Sequence, residues 1–135
     1  GCTFYPGVQV VQVGQPLLVK NDDSFTHNVR SFSQRNRPFN FGQPADTEPR
    51  ERMFEVAERE PVEVQCDYRK WMRAWIVVLD HPFAAVTDEH GNYEIRGLPP
   101  GEYRLTAWHE KLDSERQEVT VGDEDVEGVD FTFKP

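Results

Sequence analysis

No apolar run in this chain approaches the roughly 20 residues that a membrane-spanning helix needs, so nothing in it reads as a transmembrane segment. Sustained helical periodicity is also missing. The nearest approach is a turn or two within PADTEPRERM, residues 44–53, which leaves strands as the framework. Positive charge is in deficit: 15 Lys and Arg stand against 24 Asp and Glu, for a formal net charge of -9. Such an acidic surface argues against nucleic-acid binding. There is no Ser-His-acid order near a nucleophile elbow, and no carboxylate pair stands out from the general acidity. The chain therefore reads as non-enzymatic. Cysteine is scarce, with two, which allows one disulfide rather than a disulfide framework.

The charge deficit is local. Residues 1–79 hold ten acids and ten bases, whereas residues 80–135 hold fourteen acids and five bases. A length of 135 residues suits one compact unit or two very small ones. The chain starts at Gly1-Cys2 with no leader pattern. That fits a cytoplasmic protein, or an exported one whose leader has been removed.

Strand signals run throughout. VQVVQVGQPLLVKND gives a strand, a turn at Gly14 to Pro16 and a second strand. In PVEVQC, Val62, Val64 and Cys66 share one face. AWIVVL is a continuous β-branched run of strand length, so it is expected as a buried central strand. YEIRGLPPGEYRLTAWHE predicts two strands about a Leu98 to Gly101 turn, with Tyr103, Leu105 and Ala107 on one face. RQEVTV and VDFTFKP predict two more. Residues 33–52 are polar and rich in Arg and Pro, and are expected as a mobile or partner-contacting loop. Short strands between closely spaced turns define an all-β protein of sandwich type.

Two segments carry chemistry, NDDSFTHNV at residues 21–29 and CDYRKWMRAWIVVLDHP at residues 66–82. A mononuclear copper site wants two imidazoles, a thiolate and a weak axial thioether. The chain offers His27, Cys66 and Met72, and Arg69 where a second imidazole should follow the cysteine. A guanidinium has no lone pair to give a cation. The same residues have plainer roles open to them: a hydrogen-bonded loop histidine, a buried thiol or a disulfide with Cys2, and a packing methionine. Closing a loop of about 65 residues through Cys2 and Cys66 is worth about 4 kcal/mol on the chain-entropy model. His81, His90 and His109 follow no metal-ligand spacing. Asp88, Glu89 and Asn92 around Gly91 lack the spacing of a calcium loop and predict a hairpin turn.

HNV, FNFGQP, CDYRKWM, LDHPFAAVTDEHGNYEI and LPPGEYRLTAWHEKL together resemble a group of secreted bacterial cupredoxin-like proteins. The second half of the chain is similar to their carboxypeptidase regulatory-like module, a small non-catalytic β-sandwich. The resemblance implies a cupredoxin-like Greek-key half at residues 1–79, followed by or merged with a regulatory-like half at residues 80–135. It also implies export to the periplasm or cell surface. Members of the group write HNVH and CDVHPWM; this chain writes HNVR and CDYRKWM, so imidazoles are absent at Arg30 and Arg69.

The expectation is a binding or structural subunit with no cofactor and a degenerate copper site. Its partner is a protein, within a membrane-associated and electron-transferring assembly. The contact surface is assigned to Arg30, Arg69, Lys70 and Arg73 beside Trp71 and Trp75, since Arg and Trp carry much of the energy of protein interfaces. A copper electron carrier and a carbohydrate-binding or adhesion module are the alternatives.

Overall fold

The computed structural model describes residues 3–135. Among them are nine strands and no helix, so the chain is all-β. It divides into two compact units, Gly1–Tyr93 and Glu94–Pro135.

The first unit contains seven strands: β1 (Val8–Gln12), β2 (Leu17–Val19), β3 (His27–Ser31), β4 (Asn40–Gln43), β5 (Arg50–Arg52), β6 (Val62–Cys66) and β7 (Arg69–Leu79). Five form one sheet in the order β1-β7-β6-β3-β4, and β2 and β5 form a second. β1 runs parallel to β7, and the other neighbours are antiparallel. Gly14 makes the predicted turn after β1 with φ +80°, a conformation glycine adopts without steric cost. Its N–H donates to Phe54 O at 3.0 Å.

Alternation explains which side of the larger sheet is buried. On β7, Met72, Ala74, Ile76 and Val78 are buried, while Trp71 and Arg73 are exposed and Trp75 and Val77 half-buried. Val62, Val64 and Cys66 on β6 and His27, Val29 and Ser31 on β3 point the same way as the buried set. Phe41 of β4 and Val11 of β1 belong to the same core, which Leu17 from β2 and Phe54 join. Truncating Ile76 to Ala in such a core costs about 2–5 kcal/mol.

Residues 33–52, expected as a mobile loop, hold β4 and β5 instead. The Asn36 side chain accepts from Glu55 N at 2.7 Å and Val56 N at 3.1 Å. Glu58 accepts from the backbone N–H groups of Gln34, Arg35 and Asn36 at 2.7–3.1 Å. The polar composition satisfies backbone groups inside the fold rather than solvating a free loop.

The second unit contains the hairpin of β8 (Gly101–Ala107) and β9 (Glu115–Val121). Tyr103, Leu105 and Ala107 form its half-buried face, as alternation predicts. Residues 93–96 and 129–133, expected as strands, have no ladder assigned. Glycine at 101, with φ +158°, leads from the Pro99-Pro100 turn into β8.

Candidate functional site

Strands β3 and β6 are neighbours, and their ends bring His27 and Cys66 together. Cys66 Sγ lies 3.8 Å from His27 Nδ1. The other ring nitrogen, Nε2, lies 2.6 Å from Asp23 Oδ2. A carboxylate accepts and does not donate, so Nε2–H donates to Asp23 and Nδ1 faces the Cys66 sulfur. Cysteine, imidazole and carboxylate thus form one chain. Cys66 is 0% exposed and His27 5%.

The loop before β3 is folded to deliver Asp23. Asn21 Oδ1 accepts from Asp23 N at 2.9 Å, an Asx turn. Asn21 Nδ2 donates to Phe25 O at 2.9 Å and Gln43 O at 2.8 Å. On the opposite face of β3, Asn28 ties the strand to the residue after the cysteine. Asp67 N donates to Asn28 Oδ1 at 2.5 Å, and Asn28 Nδ2 donates to Asp67 Oδ2 at 3.0 Å. These two bonds tie β3 to the turn between β6 and β7. Sequence reasoning missed Asp23 and Asn21: the NDD run favours an Asx turn, but residue type does not report which side chain that turn delivers to His27.

Met72 is buried on the same face as Cys66. With Asp23, His27 and Val64 it lines a cavity of about 250 Å³. The three candidate ligands therefore belong to one side of one sheet.

Arg69 is the cross-strand partner of Cys66. Its guanidinium lies 4.3 Å from the centroid of the Phe25 ring and donates to Thr26 O at 3.4 Å. Phe25 in turn meets His27 edge-on, with centroids 5.1 Å apart. Guanidinium, phenyl and imidazole thus form one layer beside Cys66. Arg30 behaves differently. Strand alternation puts it on the face of β3 opposite His27, level with Gln65 and Arg73 across the sheet. It stacks on Phe32 at 4.9 Å and approaches Asp67 at 3.7 Å. A side chain there is turned away from Cys66.

The fit to copper can be tested on the donors. A metal holding imidazole at about 2.0 Å and thiolate at about 2.3 Å across a trigonal angle separates them by about 3.7 Å. The His27–Cys66 separation matches that value. The rest of the set does not, because a His2Cys centre needs a second imidazole. Among the described residues no three His, Cys, Asp or Glu side chains converge as a metal set. The residues present do not fit the trigonal copper site.

The bases expected to form a contact patch are partly brought together. Arg30, Gln65 and Arg73 form one row across β3, β6 and β7. Trp71 precedes Arg73 by two residues on the same exposed face and is 69% exposed; Trp75 follows by two and is half-buried. Lys70 is exposed. Acids are interleaved: Glu63 lies 3.6 Å from Arg73, and Asp67 beside Arg30. The surface is a mixed, aromatic-rich one rather than a bare cationic patch.

The proposed bond between Cys2 and Cys66 involves Cys2, which lies outside the described residues. The other histidines serve locally. His81 Nδ1 accepts from Phe83 N at 3.1 Å, and His109 Nδ1 from Lys111 N at 3.0 Å. Asp88 accepts from His90 N and Asn92 N, both at 2.9 Å. Those bonds hold its carboxyl below the usual range and form the predicted hairpin turn, with Gly91 at φ +82°.

Residues 73–134, less than half of the chain, match the carboxypeptidase regulatory-like domain. The match begins within β7 and runs through the second unit. No curated protein matches the chain. A solved structure, a novel purple cupredoxin from Nitrosopumilus maritimus, is similar at 25% identity over 56% of this chain and 81% of that one, with a TM-score of 0.46. A superposition at that level carries no argument. The all-β class rests on the strands themselves, and the regulatory-like likeness on residues 73–134.

Proposed function

We propose that this chain is a non-enzymatic binding subunit that keeps the scaffold of a soft-metal site and works by protein contact. The observation that carries the reading is Arg69. Its guanidinium packs over Phe25 beside His27 and bonds Thr26 O, a cation fixed where a metal ligand would be needed. A guanidinium so placed opposes a second cation electrostatically. The exposed Trp71 and the row of Arg30 and Arg73 supply the residue types that anchor protein interfaces. The regulatory-like match adds a module with no chemistry of its own to a surface of this kind. The resemblance to exported bacterial proteins supports a place at the periplasmic or outer face of a membrane, docked on a larger assembly that moves electrons.

The test is a comparison of the wild type with the Arg69→Glu/Arg73→Glu double variant, as bait in an extract of the source cell's envelope. Arg73 is an exposed charge that contributes little to stability, whereas Arg69 is half-buried against Phe25, so thermal unfolding of both baits accompanies the comparison. The double variant's yield of the wild-type partner falls several-fold, and the difference shrinks at high salt. Equal yields from bait of equal thermal stability refute the reading.

The 3.8 Å separation of Cys66 Sγ and His27 Nδ1 favours a second reading, a copper electron carrier with a ligand set that departs from the usual one. Metal analysis of protein purified from its source separates the two. Stoichiometric copper with a strong thiolate-to-copper absorption band selects the carrier.

A further inference from the structure

The outer edge of the five-stranded sheet offers a site distinct from the Trp71 surface. We propose that the open edge of β4, with the groove beside Arg30, docks an extended acidic peptide segment of a partner protein, added to the sheet as a further strand.

The backbone argument comes from register. Ser31 N donates to Phe39 O at 2.9 Å, and Phe39 N donates back to the Ser31 hydroxyl at 2.8 Å, so the backbone of residue 31 is turned toward β4. In an antiparallel ladder hydrogen-bonded pairs alternate with non-hydrogen-bonded ones. Val29 with Phe41 and His27 with Gln43 are therefore bonded, and Arg30 with Asn40 and Asn28 with Gly42 are not. The N–H and C=O groups of Asn40 and Gly42 point away from β3. Among the described residues no strand pairs with β4 on that side. Both residues are exposed, while Phe41 and Gln43 between and beyond them are buried. The edge is thus anchored by its inward side chains and offers two open backbone stations.

Nothing blunts it. Sheet edges are commonly protected by charge, proline or a bulge. The strand NFGQ carries no charged residue and no proline, and its pairing with β3 runs without a register shift. A Cβ placed on Gly42 would meet no atom within 4 Å. Glycine inside a strand often marks the close approach of another backbone, and here that space is open.

Charge and shape select the occupant. A groove of about 470 Å³ runs beside the strand, lined by Arg30, Phe32, Ser33, Pro38 and Asn40 among others. Arg30 is opposite Asn40, and residues opposite one another share a face. A peptide residue paired with Asn40 therefore presents its side chain on the Arg30 face. It lies two strand spacings away, about 10 Å between Cα atoms, which Glu and Arg side chains bridge together. The Phe32 ring supports the guanidinium at 4.9 Å, and its resident acid, Asp67, is only loosely placed at 3.7 Å. The groove wall at Ser33 is already ordered, because Glu58 holds the next three residues by their N–H groups. Little loop entropy is lost on binding. Backbone pairing supplies the affinity and the Arg30 face the preference for acid, as in strand addition generally.

The test uses the full chain, isotopically labelled, with the synthetic peptide Ac-Thr-Val-Glu-Val-Glu-Val-NH2. Chemical-shift changes centre on residues 39–43, and the amides of Asn40 and Gly42 gain protection from hydrogen exchange. Arg30→Glu weakens binding about tenfold, roughly 1.4 kcal/mol, while Arg73→Glu, on β7, leaves it unchanged. A peptide methylated on alternate backbone nitrogens does not bind, which tests strand pairing without altering the protein. The proposal is overturned by no protection at millimolar peptide, by equal binding of the N-methylated peptide, or by equal binding of its Lys-for-Glu counterpart. Shifts centred on Trp71 and Arg73 also overturn it, as does protection that grows with protein concentration alone, which would make a second copy the occupant. The proposal does not rest on the Arg69 reading, and the Arg69→Glu/Arg73→Glu bait experiment can fail without touching it.

Discussion

The thiol of Cys66 and the Nδ1 of His27 face one another at 3.8 Å, on neighbouring strands and out of contact with solvent. Burial of a polar pair is tolerated only when both ends of the imidazole are satisfied. Here the thiol meets one nitrogen and Asp23 the other. The arrangement makes Asp23 a residue of structural consequence.

Removing Asp23 exposes that dependence. Asp23→Ala leaves the buried Nε2–H of His27 without an acceptor, which costs about 1–3 kcal/mol. Asp23→Asn keeps an oxygen in reach and costs less. Urea denaturation of the three proteins measures the order. An Asp23→Ala variant as stable as the wild type would show that His27 finds another acceptor and that the carboxylate is dispensable.

Glu58 predicts a pH dependence. Burial of its carboxyl pushes the pKa up. The backbone and side-chain N–H groups of Asn36 and the backbone N–H groups of Arg35 and Gln34 pull it down further, and the net shift is downward from 4.5. A folded pKa below the unfolded one contributes stability that is present above the unfolded value and lost as pH falls through the folded one. Stability from this group is therefore intact at neutral pH and declines below about pH 4.5. Glu58→Gln costs about 1–3 kcal/mol at pH 7 and flattens the decline. Thermal unfolding of both proteins between pH 7 and pH 3 checks it, and parallel curves would count against the assignment.

Period-2 patterning made β6 legible, and a continuous apolar run marked the end of β7, which the structure buries on one face and half-buries on the other. Alternation also placed Tyr103, Leu105 and Ala107 on one side of β8. It misled in residues 93–96 and 129–133, which alternate in sequence and are not among the strands of the structure; strand formation depends on context that local sequence does not report. Residues 33–52 looked like a loop because the groups that order them, Asn36 and Glu58, act across about 20 positions of sequence. The His27–Cys66 pair was legible from residue type alone. Its carboxylate was not, since Asp23 reaches the ring through an Asx turn. Sequence does not show that Arg30 and Arg69 differ in placement: Arg30 stands on the face of β3 opposite His27, whereas Arg69 pairs with Cys66.

That last difference sets a direct test. Arg69 is the cross-strand partner of Cys66, so a side chain there begins about 5 Å from the cysteine, Cα to Cα. Arg30 stands on the far face of β3, level with Gln65. Arg69→His removes a guanidinium and supplies an imidazole on the Cys66 side, completing a His2Cys set with Met72 nearby. Copper(II) added to Arg69→His should develop an intense visible thiolate-to-copper band and raise affinity at least tenfold over the wild type, about 1.4 kcal/mol. Arg30→His should do neither, and Arg69→Ala should show how much of the gain comes from charge removal alone. If Arg30→His matches Arg69→His, or if neither gains the band while both remain folded, then the alignment of position 69 with the Cys66 site is wrong.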